Sequence, residues 1–204
     1  VESAVGEVPE EVEIVDMGVK YRVSVLQGQK TGWYYDQRIN RRYLGDVVKN
    51  ARVLDVFSYV GAWGVKAAVE GAAGVVCVDA SANALSFVQQ NAQLNKVEDK
   101  VSVMQGDAFD VMKGLRADKE KFDVVIVDPP AFIKRKKDFK NGLEAYSRLN
   151  QLAIQLLDKD GILVSGSCSH HLSRHELQKV MLQSARHNDR NMQIIYQGYQ
   201  GPDH

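Results

Sequence analysis

From Arg52 onward the chain alternates short apolar runs with helical patterns, and this alternation constrains the fold more than any other feature. Val53-Leu54-Asp55-Val56-Phe57, Val75-Val76-Cys77-Val78-Asp79, Val101-Ser102-Val103-Met104, Phe122-Asp123-Val124-Val125-Ile126-Val127 and Gly161-Ile162-Leu163-Val164-Ser165 read as strands rich in β-branched residues. Between them lie helical segments. Ala62 to Val69 is one, and Ser81 can cap another whose apolar stripe is Ala84, Leu85, Val88 and Ala92. A short helix follows Asp107, and Leu149, Leu152, Ala153, Leu156 and Leu157 fall at i, i+3, i+4, i+7 and i+8 of a longer one. Repeated βα units imply a parallel sheet with right-handed crossovers and helices on both faces. The expected class is therefore α/β, a Rossmann-like and mostly parallel doubly wound sheet.

The flanks add smaller elements. Val19, Tyr21, Val23 and Val25 alternate with polar residues, and Val12, Ile14 and Asp16 offer an antiparallel partner across Met17-Gly18. From Asp36 to Asn50 the spacing of Ile39, Tyr43, Leu44, Val47 and Val48 predicts a helix. Ser173 and Glu176 form a capping box for a helix that turns Leu177, Val180, Met181 and Ser184 inward. Met192 to Tyr196 reads as a last strand, and one more strand is expected beyond His204. The chain thus divides into a β-hairpin and linker over residues 1–35 and a Rossmann-like domain over 36–204.

With 204 residues, one full-sized domain and a small appendage are what the length allows. No apolar stretch approaches the roughly 20 residues of a membrane span, and no secretory leader pattern opens the chain. Cys77 and Cys168 sit in different apolar runs, which suits a reducing cytoplasm and offers no zinc-site spacing, so no metal is expected. The 26 basic and 26 acidic residues cancel, which counts against a free-standing nucleic-acid binder unless charge is segregated locally. Lys134-Arg135-Lys136-Lys137 is such a segregation.

In an open α/β sheet, ligands bind beyond the carboxyl ends of the strands. Asp55, Asp79, Asp107 and Asp128 all stand at those ends. Any one of them could simply cap a helix; four together point to a ligand. The turn Asp55-Val56-Phe57-Ser58-Tyr59-Val60-Gly61 lacks the three-glycine fingerprint that admits a pyrophosphate. A single Gly61 after an acid suits a ligand without phosphates, such as S-adenosylmethionine, with Phe57, Ser58 and Tyr59 lining it. Asp79, 24 residues after Asp55, matches a ribose-binding acid, with Ala80 beside it. Asp107 can accept an adenine amino group, and Ala108 can add backbone contacts.

Asp128 leads into Pro129-Pro130-Ala131-Phe132, a rigid cradle for a planar base. Ser167-Cys168-Ser169 follows the next strand, so an acid and a thiol face one crevice. That pairing points to methylation at carbon of a pyrimidine, with Lys134 and Arg135 as phosphate contacts. Two other readings stay open: methylation of a purine nitrogen, which needs no thiol, and a non-catalytic module that binds RNA and cofactor.

The order Gln29-Lys30-Thr31-Gly32, Asp36-Gln37-Arg38, Asp55 to Gly61, Asp128-Pro129-Pro130-Ala131-Phe132 and Ser167-Cys168-Ser169 resembles the bacterial 23S rRNA (cytosine-5) methyltransferases of the large-subunit methyltransferase I type. The resemblance runs from about Val19 to His204. It implies a class I fold, S-adenosylmethionine as cofactor, large-subunit ribosomal RNA as partner, and Cys168 as nucleophile with Asp128 holding the base. It also implies that Lys30, Thr31, Tyr34, Asp36 and Arg38 fold over the methionine end of the cofactor. Members carry an N-terminal PUA-type domain that this sequence lacks, so the chain resembles their catalytic part. A homodimer is compatible with all of this.

Overall fold

The computed structural model describes residues 6–26, 28–29 and 32–201. A hairpin of β1 (Glu11–Asp16) and β2 (Val19–Ser24) comes first, closed by Met17 and Gly18 in left-handed conformations at φ 50° and 80°. Two single-turn helices follow, α1 (Arg38–Arg41) and α2 (Leu44–Val47). The alternating part then runs β3 (Arg52–Val56), α3 (Gly64–Val69), β4 (Gly74–Asp79), α4 (Ala82–Leu94), β5 (Val101–Gln105), α5 (Ala108–Ala117) and β6 (Phe122–Val127). It closes with α6 (Phe139–Leu156), β7 (Leu157–Ser165) and α7 (Arg174–His187).

The five longer-range strands are all parallel, in the order β5-β4-β3-β6-β7. The chain winds outward from β3 to β5 and then crosses back to place β6 on the other side of β3. The direction of winding therefore reverses between β3 and β6, which opens a crevice at their carboxyl ends. Alternation along the strands splits the core into two layers. Val53, Val75, Cys77, Val124 and Ile126 face α3, α4 and the hairpin. Leu54, Val56, Val78, Val125 and Val127 face α5 and α6.

The hairpin shares the first of these layers through buried Val19, Tyr21 and Val23. Its free edge would otherwise expose unpaired backbone groups. Asn91 on α4 and Asn95, which caps its C-terminus one turn later, supply the missing partners. Asn91 Oδ1 accepts from Arg22 N at 2.6 Å, and its Nδ2 donates to Arg22 O at 3.2 Å. Asn95 repeats the pattern on Lys20, accepting from N at 3.0 Å and donating to O at 2.7 Å.

The parallel sheet, the α4 cap by Ser81 and the Ser173–Glu176 capping box stand as the sequence implied. Two elements differ. The expected helix over Asp36–Asn50 is two separate turns, because Arg41 rather than Ile39 or Tyr43 goes inward. Arg41 is 1% exposed, bonded to Asp16 Oδ2 at 2.7 Å and stacked 5.1 Å from the Trp33 ring, and this buried ion pair overrides the apolar spacing. Met192 to Tyr196 is no strand. It crosses the outside of α1 and α2, with Tyr196 against the Tyr43 ring at 3.8 Å and its hydroxyl on Asn40 Oδ1. Polar spacing around Ile194 and Ile195 mimicked a strand, but the neighbouring residues leave Ile195 68% exposed.

Candidate active site

The loop that leaves β3 is the first wall of the crevice. Phe57 and Tyr59 hold φ of 66° and 48°, and Gly61 holds 85°. Left-handed backbone at two non-glycine residues costs free energy and concentrates at functional sites. Gly61 is required twice over, since a Cβ there would lie 2.9 Å from Val65 Cγ2. Asp55 holds the loop from beneath: it is fully buried, and Gly64 N donates to its Oδ2 at 2.8 Å. Burial pushes its carboxyl up to about 7, with the charges of Asp128 and Asp79 adding to the rise and the Gly64 bond and Arg41 opposing it. With no exposed surface, Asp55 shapes the loop instead of presenting a carboxylate to the crevice.

Asp79 does present one. Its Oδ2 accepts from Tyr59 N and its Oδ1 from Ser81 N, both at 2.9 Å. Each carboxylate oxygen has a second acceptor site, so two hydroxyl donors of a ribose can be met without displacing these bonds. Asp107 is exposed and caps α5, its Oδ1 accepting from Phe109 N and Asp110 N, while Ala108 behind it is buried. Asp107 thus caps a helix through one of its two oxygens. Ser58 Oγ is buried with no hydrogen-bond partner among the described residues. A strained loop with an orphaned hydroxyl, beside a half-buried carboxylate and free of phosphate-binding glycines, suits a nucleoside ligand such as S-adenosylmethionine.

The second wall is built by the ends of β6 and β7. Asp128 follows β6 directly, and both of its oxygens receive donors: Trp63 Nε1 to Oδ2 at 3.1 Å and Gln37 Nε2 to Oδ1 at 3.4 Å. Asn40 Nδ2 donates to Gln37 Oε1 at 2.7 Å, which fixes the Gln37 amide with its nitrogen toward Asp128. Gly166 leaves the necessary space, since a Cβ there would lie 2.7 Å from Asp128 Oδ1. Burial raises the Asp128 carboxyl to about 6 against the opposing Trp63 bond, and Asp36 raises it further. Pro129 is buried and Pro130 exposed.

Cys168 lies three residues past β7. It is exposed, and its thiol donates to Pro129 O at 3.6 Å, whereas Cys77 is fully buried. Tyr34 closes the group from the linker side. Its phenol is raised by burial first, then by the charges of Tyr59, Asp36, Cys168 and Asp128 around it. The structure thus brings Tyr34, Asp36, Asp128 and Cys168 together, with Phe57, Ser58, Tyr59 and Gly61 on the facing loop.

Two expectations change. Arg38 turns to the hairpin, its Nε 3.1 Å from Asp16 Oδ1, instead of reaching the crevice. A buried carboxylate one strand away is the stronger attractor for a guanidinium. Phe132 is half-buried and offers a base only part of its ring, which packs against Phe57, Phe109 and Tyr146 at 6.4, 6.2 and 4.8 Å. Ala80 is exposed with its carbonyl 3.4 Å from Gln105 Nε2. Lys30 and Thr31 lie outside the described residues. Lys134 to Lys137 are exposed beside the cradle, Lys134 and Arg135 leading into a short 3₁₀ turn that begins at Lys136. Trp63 and Gln37 were not singled out from the sequence; the one available signal was the adjacency of Gln37 to Asp36 and Arg38.

A separate cavity of about 230 Å³ opens at the amino ends of the strands, lined by Arg52, Asp99, Lys100 and Phe122. It lies at the opposite end of the sheet from the crevice. Among the described residues no cluster of three or more His, Cys, Asp or Glu side chains could hold a metal ion, and no helix is long and apolar enough to cross a membrane.

Comparison with known proteins agrees with this geometry. Residues 1–184 match the family described as S-adenosylmethionine-dependent methyltransferase. A relative from Methanocaldococcus jannaschii, provisionally named a ribosomal RNA large subunit methyltransferase, is 44% identical over 197 residues, 95% of this chain and 50% of its own. Ribosomal RNA large subunit methyltransferase I of Escherichia coli is 39% identical over 201 residues, 98% of this chain and 51% of its own. The chain thus spans about half the length of the curated relatives it matches. A crystal structure of a provisionally assigned methyltransferase complexed with SAH superposes with a TM-score of 0.79 at 26% identity, covering 88% of this chain and 48% of that one.

Proposed function

The chain belongs to the S-adenosylmethionine-dependent methyltransferases, and from that premise we propose that it methylates C5 of a cytosine in large-subunit ribosomal RNA through a covalent bond between Cys168 and C6. The observation that carries this reading is the exposed Cys168 thiol, 3.6 Å from Pro129 O and beside Asp128, at two neighbouring strand ends. Relatives named for large-subunit ribosomal RNA support the choice of RNA, and a ribosomal substrate goes with a cytoplasmic location.

Cytosine C5 is a weak nucleophile. Addition of the Cys168 thiolate to C6 shifts the electron pair of the C5–C6 double bond onto C5, while Asp128 donates its proton to N3. Burial suits Asp128 to this role, since a carboxyl raised to about 6 is protonated in a useful fraction of molecules near neutrality. Bound S-adenosylmethionine supplies an electrophilic methyl group, with the loop Phe57 to Gly61, Asp79, Tyr34 and Asp36 as its holders. Loss of the C5 proton to a base and return of the N3 proton to Asp128 restore the ring double bonds and expel the thiolate, a role cysteine fills because it both attacks and leaves readily. Both faces of the ring must be reached, so the target base is unstacked from its neighbours. Lys134 and Arg135, exposed just past the cradle, would contact phosphates flanking that base.

Asp128-Pro129-Pro130 followed by an aromatic would also serve methylation of a purine nitrogen, but that chemistry needs no thiol. The exposed Cys168 thiol beside the cradle therefore favours the carbon reading. RNA carrying 5-fluorocytosine at the target should trap a covalent adduct, because fluorine cannot leave as a proton does. Wild type and Cys77→Ala should trap it and Cys168→Ala should not. Full turnover in Cys168→Ala would move the assignment to nitrogen.

A further inference from the structure

Ser167 and Ser169 flank the thiol, and the chemistry above uses neither. Both hydroxyls point to one buried phenol. Tyr146 extends the apolar stripe of α6 by one turn before Leu149 and is fully buried. A phenol in that position needs hydrogen-bond partners, and the two serines provide them. Ser167 Oγ donates to the Tyr146 hydroxyl at 2.8 Å. The Tyr146 hydroxyl and Ser169 Oγ share a second hydrogen bond, also at 2.8 Å. Ser169 Oγ accepts in addition from Ile133 N at 3.1 Å, and Ser169 N donates to Ser167 Oγ at 3.2 Å.

The consequence lies in what these bonds join. Cys168 stands between two residues anchored to α6, and Ser169 carries the tie onward to the loop that begins at Pro129. The Tyr146 ring lies 4.8 Å from that of Phe132 in the same loop. One turn earlier, Gly142 lets the helix backbone approach the loop, since a Cβ there would lie 2.8 Å from Phe132 O. Thiol and base cradle are thus held to a common rigid strut. Rates of addition depend steeply on such distances.

We propose that Tyr146 is a positioning residue, setting the separation of the Cys168 sulfur from the base held at Asp128-Pro129-Pro130; the proposal rests on the cytosine-C5 reading. In the full-length protein, Tyr146→Phe keeps the ring and removes the hydroxyl. Turnover with an unmodified large-subunit rRNA transcript should fall at least tenfold, while KM for RNA and affinity for S-adenosylhomocysteine stay within twofold. Iodoacetamide should alkylate Cys168 at least threefold faster once its anchors loosen, with buried Cys77 as the internal control. Ser167→Ala, outside the deep core, should reproduce both effects if Tyr146→Phe folds poorly. Normal turnover in both variants, with Cys168→Ala inactive, would overturn the positioning role alone. A parallel loss of cofactor affinity would also overturn it, in favour of a packing role. Full turnover in Cys168→Ala would overturn the parent reading and this role with it.

Discussion

Replacing Asp128 by Asn separates what the carboxyl does for the reaction from what its burial does to stability. In the unfolded chain it titrates near 3.8 and in the folded protein near 6. Between these values the folded state binds more protons than the unfolded state, so stability falls as pH rises from about 4 to about 6 and the full penalty stands above 6. A rise of that size corresponds to about 3 kcal/mol. Asn carries no charge and escapes the penalty, but it meets Gln37 differently. Trp63 Nε1 keeps an acceptor in the Asn oxygen, whereas Asn Nδ2 faces Gln37 Nε2, which Asn40 holds in place. Two opposed donors cost about 1 kcal/mol. Asp128→Asn should therefore stabilise the ligand-free protein by about 2 kcal/mol at pH 8 and turn to a small loss near pH 4. Methyl transfer should meanwhile fall about 100-fold or more through loss of the acid. Urea unfolding at pH 4, 6 and 8 reads the first effect. A stability difference that does not change with pH would refute the argument that burial of charge sets this group's titration.

Asp79→Ala should weaken binding of S-adenosylhomocysteine at least tenfold by calorimetry, and the loop that loses its Tyr59 N and Ser81 N acceptors should show faster amide exchange. Replacing Lys134, Arg135, Lys136 and Lys137 by Ala should weaken RNA binding and flatten its dependence on salt, with cofactor affinity unmoved. Asn91→Ala removes the partners of Arg22 N, Arg22 O and Val60 O at once, and chemical denaturation should show a loss of about 3 kcal/mol. Because Val60 sits in the loop after β3, the same change should also weaken cofactor binding, whereas a variant that binds normally would show the hairpin to be energetically separate from the site.

Periodicity determined the alternating βα core of the architecture. Unbroken β-branched runs such as Val124 to Val127 can be satisfied only by a strand covered on both faces, and their alternation with Ser81-capped and Ser173-capped helices leaves a parallel sheet as the consistent solution. Strand-end positions likewise placed Asp79, Asp128 and Cys168 near one crevice, since the chain must emerge there from every strand. Tertiary structure decided what each polar group does once it arrives. Asp55, Asp79 and Asp107 look alike in the sequence, yet one is sealed beneath a loop, one faces the crevice and one caps a helix. Arg38 left the site for Asp16, and Arg41 went inward against the apolar pattern of its own segment. Trp63, Gln37 and Tyr146, which hold the acid and the thiol in place, meet their partners 65, 91 and 21 to 23 residues away. Local spacing reports on the face a residue occupies, because backbone geometry sets it within a few residues. Hydrogen bonds between side chains on different elements depend on the folded distances between those elements, and these exist only once the sheet has formed.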